Sequence, residues 1–215
     1  MPRPSPKLLS CQELACRRGG RRVFEGLDFA LEAGGALLLS GPNGSGKTSL
    51  LRMLAGLSPP EHGRILWRGA AISRDFAAHH ARIHFIGHQE ALKPNLTARE
   101  NLVFWTAMRG GARESADAAI ETFRLDARAD WPCRYLSSGE KRRLALARLL
   151  SSPAELWLLD EPVAGLDARA QRLLLDAIAA HRRLGGCVVA STHVKLRLDR
   201  TKHLSLADFT IRGPG

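Results

Sequence analysis

Gly41-Pro42-Asn43-Gly44-Ser45-Gly46-Lys47-Thr48 follows the apolar run Ala36-Leu37-Leu38-Leu39 and precedes residues 48–57, which read as a helix. A short continuous apolar run closed by a turn is the pattern of a buried strand. In a strand–loop–helix unit of this kind the glycines let backbone N–H groups turn inward around an anion. The helix N-terminus adds positive potential. A lysine at the end of such a loop reaches the β- and γ-phosphates, and the next hydroxyl ligates Mg²⁺. Lys47 and Thr48 occupy those two positions. A glycine-rich turn alone needs no ligand; the complete motif in this setting assigns a nucleoside triphosphate to Gly41, Pro42, Asn43, Gly44, Ser45, Gly46, Lys47 and Thr48.

Outward from the loop, residues 8–31 alternate short apolar stretches around a turn at Arg18-Gly19-Gly20-Arg21, as in an antiparallel hairpin. Downstream, Gly56 and Pro59-Pro60 stop the first helix, and Arg64-Ile65-Leu66-Trp67 reads as a strand. Residues 82–86 read as another, ending in Gly87-His88-Gln89. From Thr97 the period becomes helical. Thr97-Ala98-Arg99-Glu100 is a capping box, and further helices are expected over 114–125 and 140–150. Strand character returns at 156–159, then a helix over 169–184 and a last strong strand at 187–190. The expectation is one α/β domain over 1–215: a core of about 1–92 and 153–215, an N-terminal antiparallel hairpin, and a helical insert of about 93–152.

Leu156-Trp157-Leu158-Leu159-Asp160 is an apolar strand ending in a carboxylate. A buried strand of this kind puts Asp160 at the carboxyl edge of the sheet beside the loop, where it is expected to hold Mg²⁺ largely through water. Glu161 follows at the same edge and is the candidate to polarise an attacking water. Leu136-Ser137-Ser138-Gly139-Glu140 places small residues ahead of a basic helix, a second helix N-terminus able to accept an anion. Those five residues also suit an ordinary Ser-capped helix. With one nucleotide loop per chain, the second anion site is explained if it caps the γ-phosphate held by another subunit.

In order, Gly41 to Thr48, Gln89, Leu136 to Glu140, Asp160-Glu161, Gly165-Leu166-Asp167 and His193 resemble the nucleotide-binding subunit of ATP-binding-cassette (ABC) transporters, over nearly the whole chain. The resemblance implies a P-loop NTPase fold with a RecA-like core. It implies ATP and Mg²⁺ as ligands, and a head-to-tail homodimer with two ATPs between the loop of one subunit and Ser137-Ser138-Gly139 of the other. Gln89 then senses Mg²⁺ and the γ-phosphate, His193 contacts the γ-phosphate, and Asp167 links the two sites.

Some positions depart from the family pattern. Ser138 stands for the first signature glycine and Glu140 for the common glutamine, with Lys141 or Arg142 as neighbours that would neutralise it. Gly165 replaces the commoner alanine. No aromatic stands near Arg18 to stack on adenine, which leaves Arg18 or Phe24 for that place.

Finer features resemble the cytochrome c maturation branch of the family: Gly87-His88-Gln89, Leu92-Lys93-Pro94-Asn95-Leu96-Thr97, Glu100-Asn101-Leu102, Thr48-Ser49-Leu50-Leu51-Arg52 and Leu156-Trp157. The absence of a domain after His193 fits it too. The branch implies a peripheral subunit on the cytoplasmic face of the inner membrane, docked on integral-membrane permease subunits of the CcmB and CcmC kind. There ATP hydrolysis is tied to release of a haem-loaded periplasmic chaperone, an activity first described as haem export. Direct haem binding by this subunit is not expected.

The chain has 215 residues, is 45% apolar and 25% charged, and carries a net charge of +11. The basic residues are spread along the sequence rather than gathered in a stripe, so they read as surface solvation and not as a nucleic-acid footprint. No apolar run is long enough to cross a bilayer. Residues 1–10 lack the apolar core of a secretory signal. Cys11, Cys16, Cys133 and Cys187 form no zinc spacing and read as reduced thiols. His79, His80, His84 and His88 are expected to serve surface or packing roles. A cassette for another importer or exporter differs only in its partner. A soluble ABC ATPase acting on ribosomes or nucleic acid would carry two cassettes or a long coiled-coil insert, neither of which is present. A small-molecule phosphotransferase lacks the 136–140 element and the histidine at 193.

Overall fold

The computed structural model describes residues 7–193 and 198–209. Two sheets organise it. β1 (Lys7–Arg18) and β2 (Arg21–Glu32) form the expected hairpin, turned at Gly19-Gly20, and β4 (His62–Trp67) and β5 (Ala70–Ala71) complete an antiparallel sheet in the order β2-β1-β4-β5. The second sheet is parallel. β6 (Ile83–Ile86), β7 (Leu156–Asp160), β8 (Cys187–Ser191), β3 (Ala36–Ser40) and β9 (Thr201–Ser205) lie side by side in that order.

Both faces of the parallel sheet are covered, which is why β3, β7 and β8 read as unbroken apolar runs. Their period-2 alternation divides them between two cores. Leu37, Leu39 and Leu158 pack with Phe24, Leu27 and α1 (Lys47–Leu54) under the antiparallel sheet. Ala36, Leu38, Trp157 and Leu159 face the other core, shared with α3 (Ala98–Met108), α4 (Arg113–Thr122), α5 (Ser138–Ser151) and α6 (Ala168–Arg183).

Element ends differ from the sequence expectations for local reasons. α1 stops at Leu54, not 57, because Gly56 turns left-handed at φ 70° and Leu57 N–H bonds back to Arg52 O at 2.9 Å. The capping box at Thr97 forms in both directions, Glu100 N–H to Thr97 Oγ1 at 3.1 Å and Thr97 N–H to Glu100 Oε2 at 2.8 Å. Elements not expected from the sequence include the two-residue β5, the short α2 (Phe76–Ala81), capped by Asp75, and the edge strand β9.

Parallel strands all end at one edge of their sheet. The loop after β3, the end of β7 and the end of β8 therefore meet there, and these are the segments that carry residues 41–48, Asp160-Glu161 and Thr192-His193.

Candidate functional site

The loop depends on two of its glycines. Gly41 has φ 137°, and a Cβ there would lie 2.7 Å from Ser45 Oγ; Gly46, the residue before α1, has φ 99°, and a Cβ would strike Val23 and Phe24 at 2.8–2.9 Å. Only glycine occupies either position without strain. Lys47 opens α1 and is 8% exposed. Its ammonium donates to Gly41 O at 2.7 Å and Pro42 O at 3.1 Å, lying along the loop rather than in solvent. Ser45 Oγ is buried with no hydrogen-bond partner, an orphan hydroxyl within the loop. A glycine-bent loop that opens onto a helix N-terminus suits a polyphosphate.

Opposite the loop stands the carboxylate edge of β7. Asp160 is 3% exposed, and hydroxyls satisfy both its oxygens: Thr48 Oγ1 donates to Oδ2 at 2.7 Å and Ser191 Oγ to Oδ1 at 2.6 Å. Thr48 and Asp160 bring hard oxygens together at the rim of the loop, a donor set that fits Mg²⁺ completed by water and phosphate.

Glu161 adopts φ 47°, a left-handed conformation rare outside glycine. Its N–H donates to Ser191 Oγ at 2.9 Å. Its carboxylate turns toward His193: Oε1 lies 3.2 Å from Nε2, without hydrogen-bond alignment, and Oε2 accepts the His193 N–H at 3.3 Å. The imidazole thus stands beside the carboxylate, about half exposed, and the bond between the two residues runs from the His193 backbone N–H.

These groups share one open pocket of about 630 Å³. Asn43, Gly44, Gly46, Lys47 and Thr48 form one wall; Asp160, Glu161 and His193 form the other. Gly41, Pro42 and Ser45 belong to the same loop but are not among the lining residues; the carbonyls of the first two accept from Lys47. Arg18, Val23, Ser49 and His88 complete the lining. Phe24 is fully buried under Gly46, so it cannot stack on a base, and Arg18 is the candidate at that wall. Gln89 is exposed on the loop after β6 and lies outside the lining, where His88 stands instead.

The remaining predicted residues gather elsewhere. Ser137 caps α5: Glu140 N–H donates to its hydroxyl at 3.2 Å, and Glu140 Oε2 accepts Ser137 N–H at 2.8 Å. That backbone bond is the main cause holding the Glu140 carboxyl below its ordinary pKa. Arg128 Nε approaches Glu140 at 3.5 Å. The cations that act on Glu140 are therefore Arg128 and Arg143 rather than Lys141 or Arg142. Arg142 instead folds away to the backbone of Gly87, Asp160 and Glu161. Asp167 caps α6 by accepting Ala170 N–H at 2.7 Å, which depresses its pKa, and is exposed. Gly165 O would lie 3.5 Å from a Cβ at Gly139, so the 137–139 and 165–167 turns are neighbours within one chain. None of Ser137, Ser138, Gly139 or Asp167 lines the pocket around residues 43–48.

Ser191 and Arg142 are the functional candidates that sequence reasoning missed. Ser191 ends an apolar strand opposite Asp160, and its register partner would have been readable once β7 and β8 were paired. Arg142 gave no signal, because its partners are backbone atoms. The histidine cluster separates: His79 and His84 are buried, within 2.8 Å of Leu54 O and 2.9 Å of Ser152 O, while His88 reaches the pocket. Cys133 is buried beside Asn101, and desolvation raises its pKa.

The family model for ABC transporters matches residues 24–164. A "Cytochrome c biogenesis ATP-binding export protein CcmA" of Paramagnetospirillum magneticum is 49% identical over 211 residues, 96% of this chain and 97% of the relative. A protein of the same name from Rhodospirillum rubrum is 48% identical over 205 residues, 95% of this chain and 88% of the relative. Among solved structures, an ABC transporter ATP-binding protein from Pyrococcus furiosus superimposes with TM-score 0.82 at 24% identity, over 94% of this chain and 99% of that one, a likeness of fold. No helix among the described residues is long and apolar enough to cross a membrane. The loop, the carboxylate edge and the family match agree: this chain belongs to the ABC transporter family, as an ATP-binding, ATP-hydrolysing subunit.

Proposed function

We propose that the chain is the ATPase of a cytochrome c maturation complex, working as a homodimer beneath CcmB-like and CcmC-like permease subunits at the cytoplasmic face of the inner membrane. The single observation that carries the ATPase part is the pocket in which Lys47 and Thr48 face Asp160, Glu161 and His193. The relatives of 49% and 48% identity support the pathway.

In this reading the loop amides and Lys47 bind the triphosphate. Thr48 and Asp160 would hold Mg²⁺, with Gln89 on the loop after β6 as a further candidate ligand; the ion would supply charge neutralisation at the phosphates. Glu161 accepts a proton from water, and His193, beside that carboxylate, contacts the γ-phosphate. Ser137, Ser138 and Gly139 cap the nucleotide bound by the other copy, and Asp167 couples the two sites. Positioning and electrostatics carry most of the rate, as expected where phosphoryl transfer involves no covalent enzyme intermediate. Helices α3 to α5 transmit closure to the membrane partners.

Trapping Glu161→Gln with Mg-ATP in native membranes, followed by gentle purification and mass spectrometry, tests the assignment. Recovery of cytochrome c maturation membrane subunits is expected. Recovery of a different permease would keep the ATPase and discard the pathway, and ribosomes or DNA alone would discard the membrane complex.

A further inference from the structure

Arg142 sits in the second turn of α5, yet its side chain leaves the helix for the edge of the parallel sheet. It is 4% exposed. Nη1 donates to Gly87 O at 2.9 Å, and Nη2 donates to Asp160 O and Glu161 O at 2.8 Å each. Those carbonyls lie where β6 and β7 run out, and a buried carbonyl needs a partner. Desolvation lowers the Arg142 pKa, opposed by Glu90, Asp160 and Glu161. Arginine keeps its charge under such conditions, and its planar fork serves separate acceptors at once.

The peptide being gripped is an unusual one. Glu161 holds φ 47°, with its N–H on Ser191 Oγ and its C=O on Arg142, so both flanks of the strained residue are pinned. The same guanidinium reaches Gly87, two residues before Gln89, and belongs to the helix that begins at Ser138. One side chain thus joins α5, the helix that the 137–140 turn opens, to the loop after β6 and the carboxylate edge.

We propose that Arg142 is a positioning residue for hydrolysis: it clamps the Asp160–Glu161 backbone so that the Glu161 carboxylate stays aimed into the pocket, and it ties that aim to α5. The inference rests on the reading of Glu161 as the base. Lysine in its place keeps the charge but not the fork, so the carboxylate loses its fixed direction. A misplacement of about 1 Å costs up to ~10²-fold in rate.

The test compares the parent, Arg142→Lys, Glu161→Gln and the double variant, each as the full chain co-purified with its membrane partners. Steady-state turnover, single-turnover rate, Mg-ATP affinity and thermal unfolding are measured on each. Arg142→Lys is expected to lower kcat about tenfold or more with Mg-ATP affinity kept within about twofold. In the Glu161→Gln background it should cost no further single-turnover rate, because the clamp acts through that carboxylate. Arg142→Gln, which keeps one amide donor, carries the same comparison should the lysine variant unfold. Parent-level kcat in the Arg142 variants beside an inactive Glu161→Gln overturns the positioning role alone. So do equal losses of kcat and ATP affinity, or losses that multiply in the double variant, since a merely structural residue behaves that way. Full turnover by Glu161→Gln overturns the base assignment on which the inference rests.

Discussion

Thr48 and Asp160, 112 positions apart in the chain, meet through a 2.7 Å hydrogen bond from hydroxyl to carboxylate. That bond fastens the start of α1 to the end of β7 and sets the two oxygen donors side by side. With Ser191 on its other oxygen, Asp160 has no freedom to turn away. Removing an oriented carboxylate next to a metal site typically costs ~10–100-fold in metal affinity or activity. Asp160→Asn is therefore expected to raise the Mg²⁺ concentration needed for half-maximal ATP hydrolysis by about that factor. An unchanged Mg²⁺ titration would remove Asp160 from the metal site.

Lys47 has its ammonium against two loop carbonyls, at 2.7 and 3.1 Å. In the proposed complex that ammonium pairs with the phosphates, and truncating one partner of a buried hydrogen-bonded charge pair costs about 2–5 kcal/mol of binding. Lys47→Ala should accordingly lose measurable Mg-ATP binding by calorimetry while its circular dichroism stays that of the parent. Tight residual binding would contradict the assignment of the loop.

His84 makes the fold sensitive to acid. Burial pushes its pKa from the ordinary 6.5 down to about 3, so the folded protein holds it neutral while the unfolded chain protonates near 6.5. The unfolded state binds more protons between those values, and stability falls as pH drops through that window, by about 1.4 kcal/mol per pH unit for this one group. His79 and His181, also depressed by burial, add to the slope. Urea unfolding of His84→Gln across pH 4 to 7 should give a shallower dependence than the parent; parallel curves would show that His84 does not titrate this way.

The α5 cap offers a separate test of the 137–140 turn. Ser137→Ala removes the hydroxyl that receives Glu140 N–H and should cost ~0.5–2 kcal/mol in denaturant unfolding. Glu140→Gln preserves the reciprocal bond and should stay near parent stability at neutral pH. A larger loss from the glutamine than from the alanine would mean that Glu140 is held chiefly by Arg128.

Much of this was legible in the sequence because it is periodic or local. Leu37 to Leu39, Leu156 to Leu159 and the Thr97 box announce themselves through burial pattern and capping chemistry. β9 stayed hidden because it is a polar edge strand in which only Leu204 is buried. α2 was obscured by its two histidines, although Asp75 marks its start. The grip of Arg142 was beyond reach for a different reason. Its acceptors are backbone carbonyls 18, 19 and 55 positions away, and a carbonyl carries no residue identity. Phe24 failed as a base-stacking candidate because Gly46 packs directly onto its ring.

The most direct test of the central claim is to measure Mg-ATP affinity and turnover on Glu161→Gln and the parent under the same conditions. The geometry around Glu161 predicts affinity within a few-fold of the parent and turnover lowered by ~10²–10⁴-fold, the usual worth of a general base. Equal loss of both would make Glu161 a binding or folding residue, and turnover at the parent rate would place the base elsewhere.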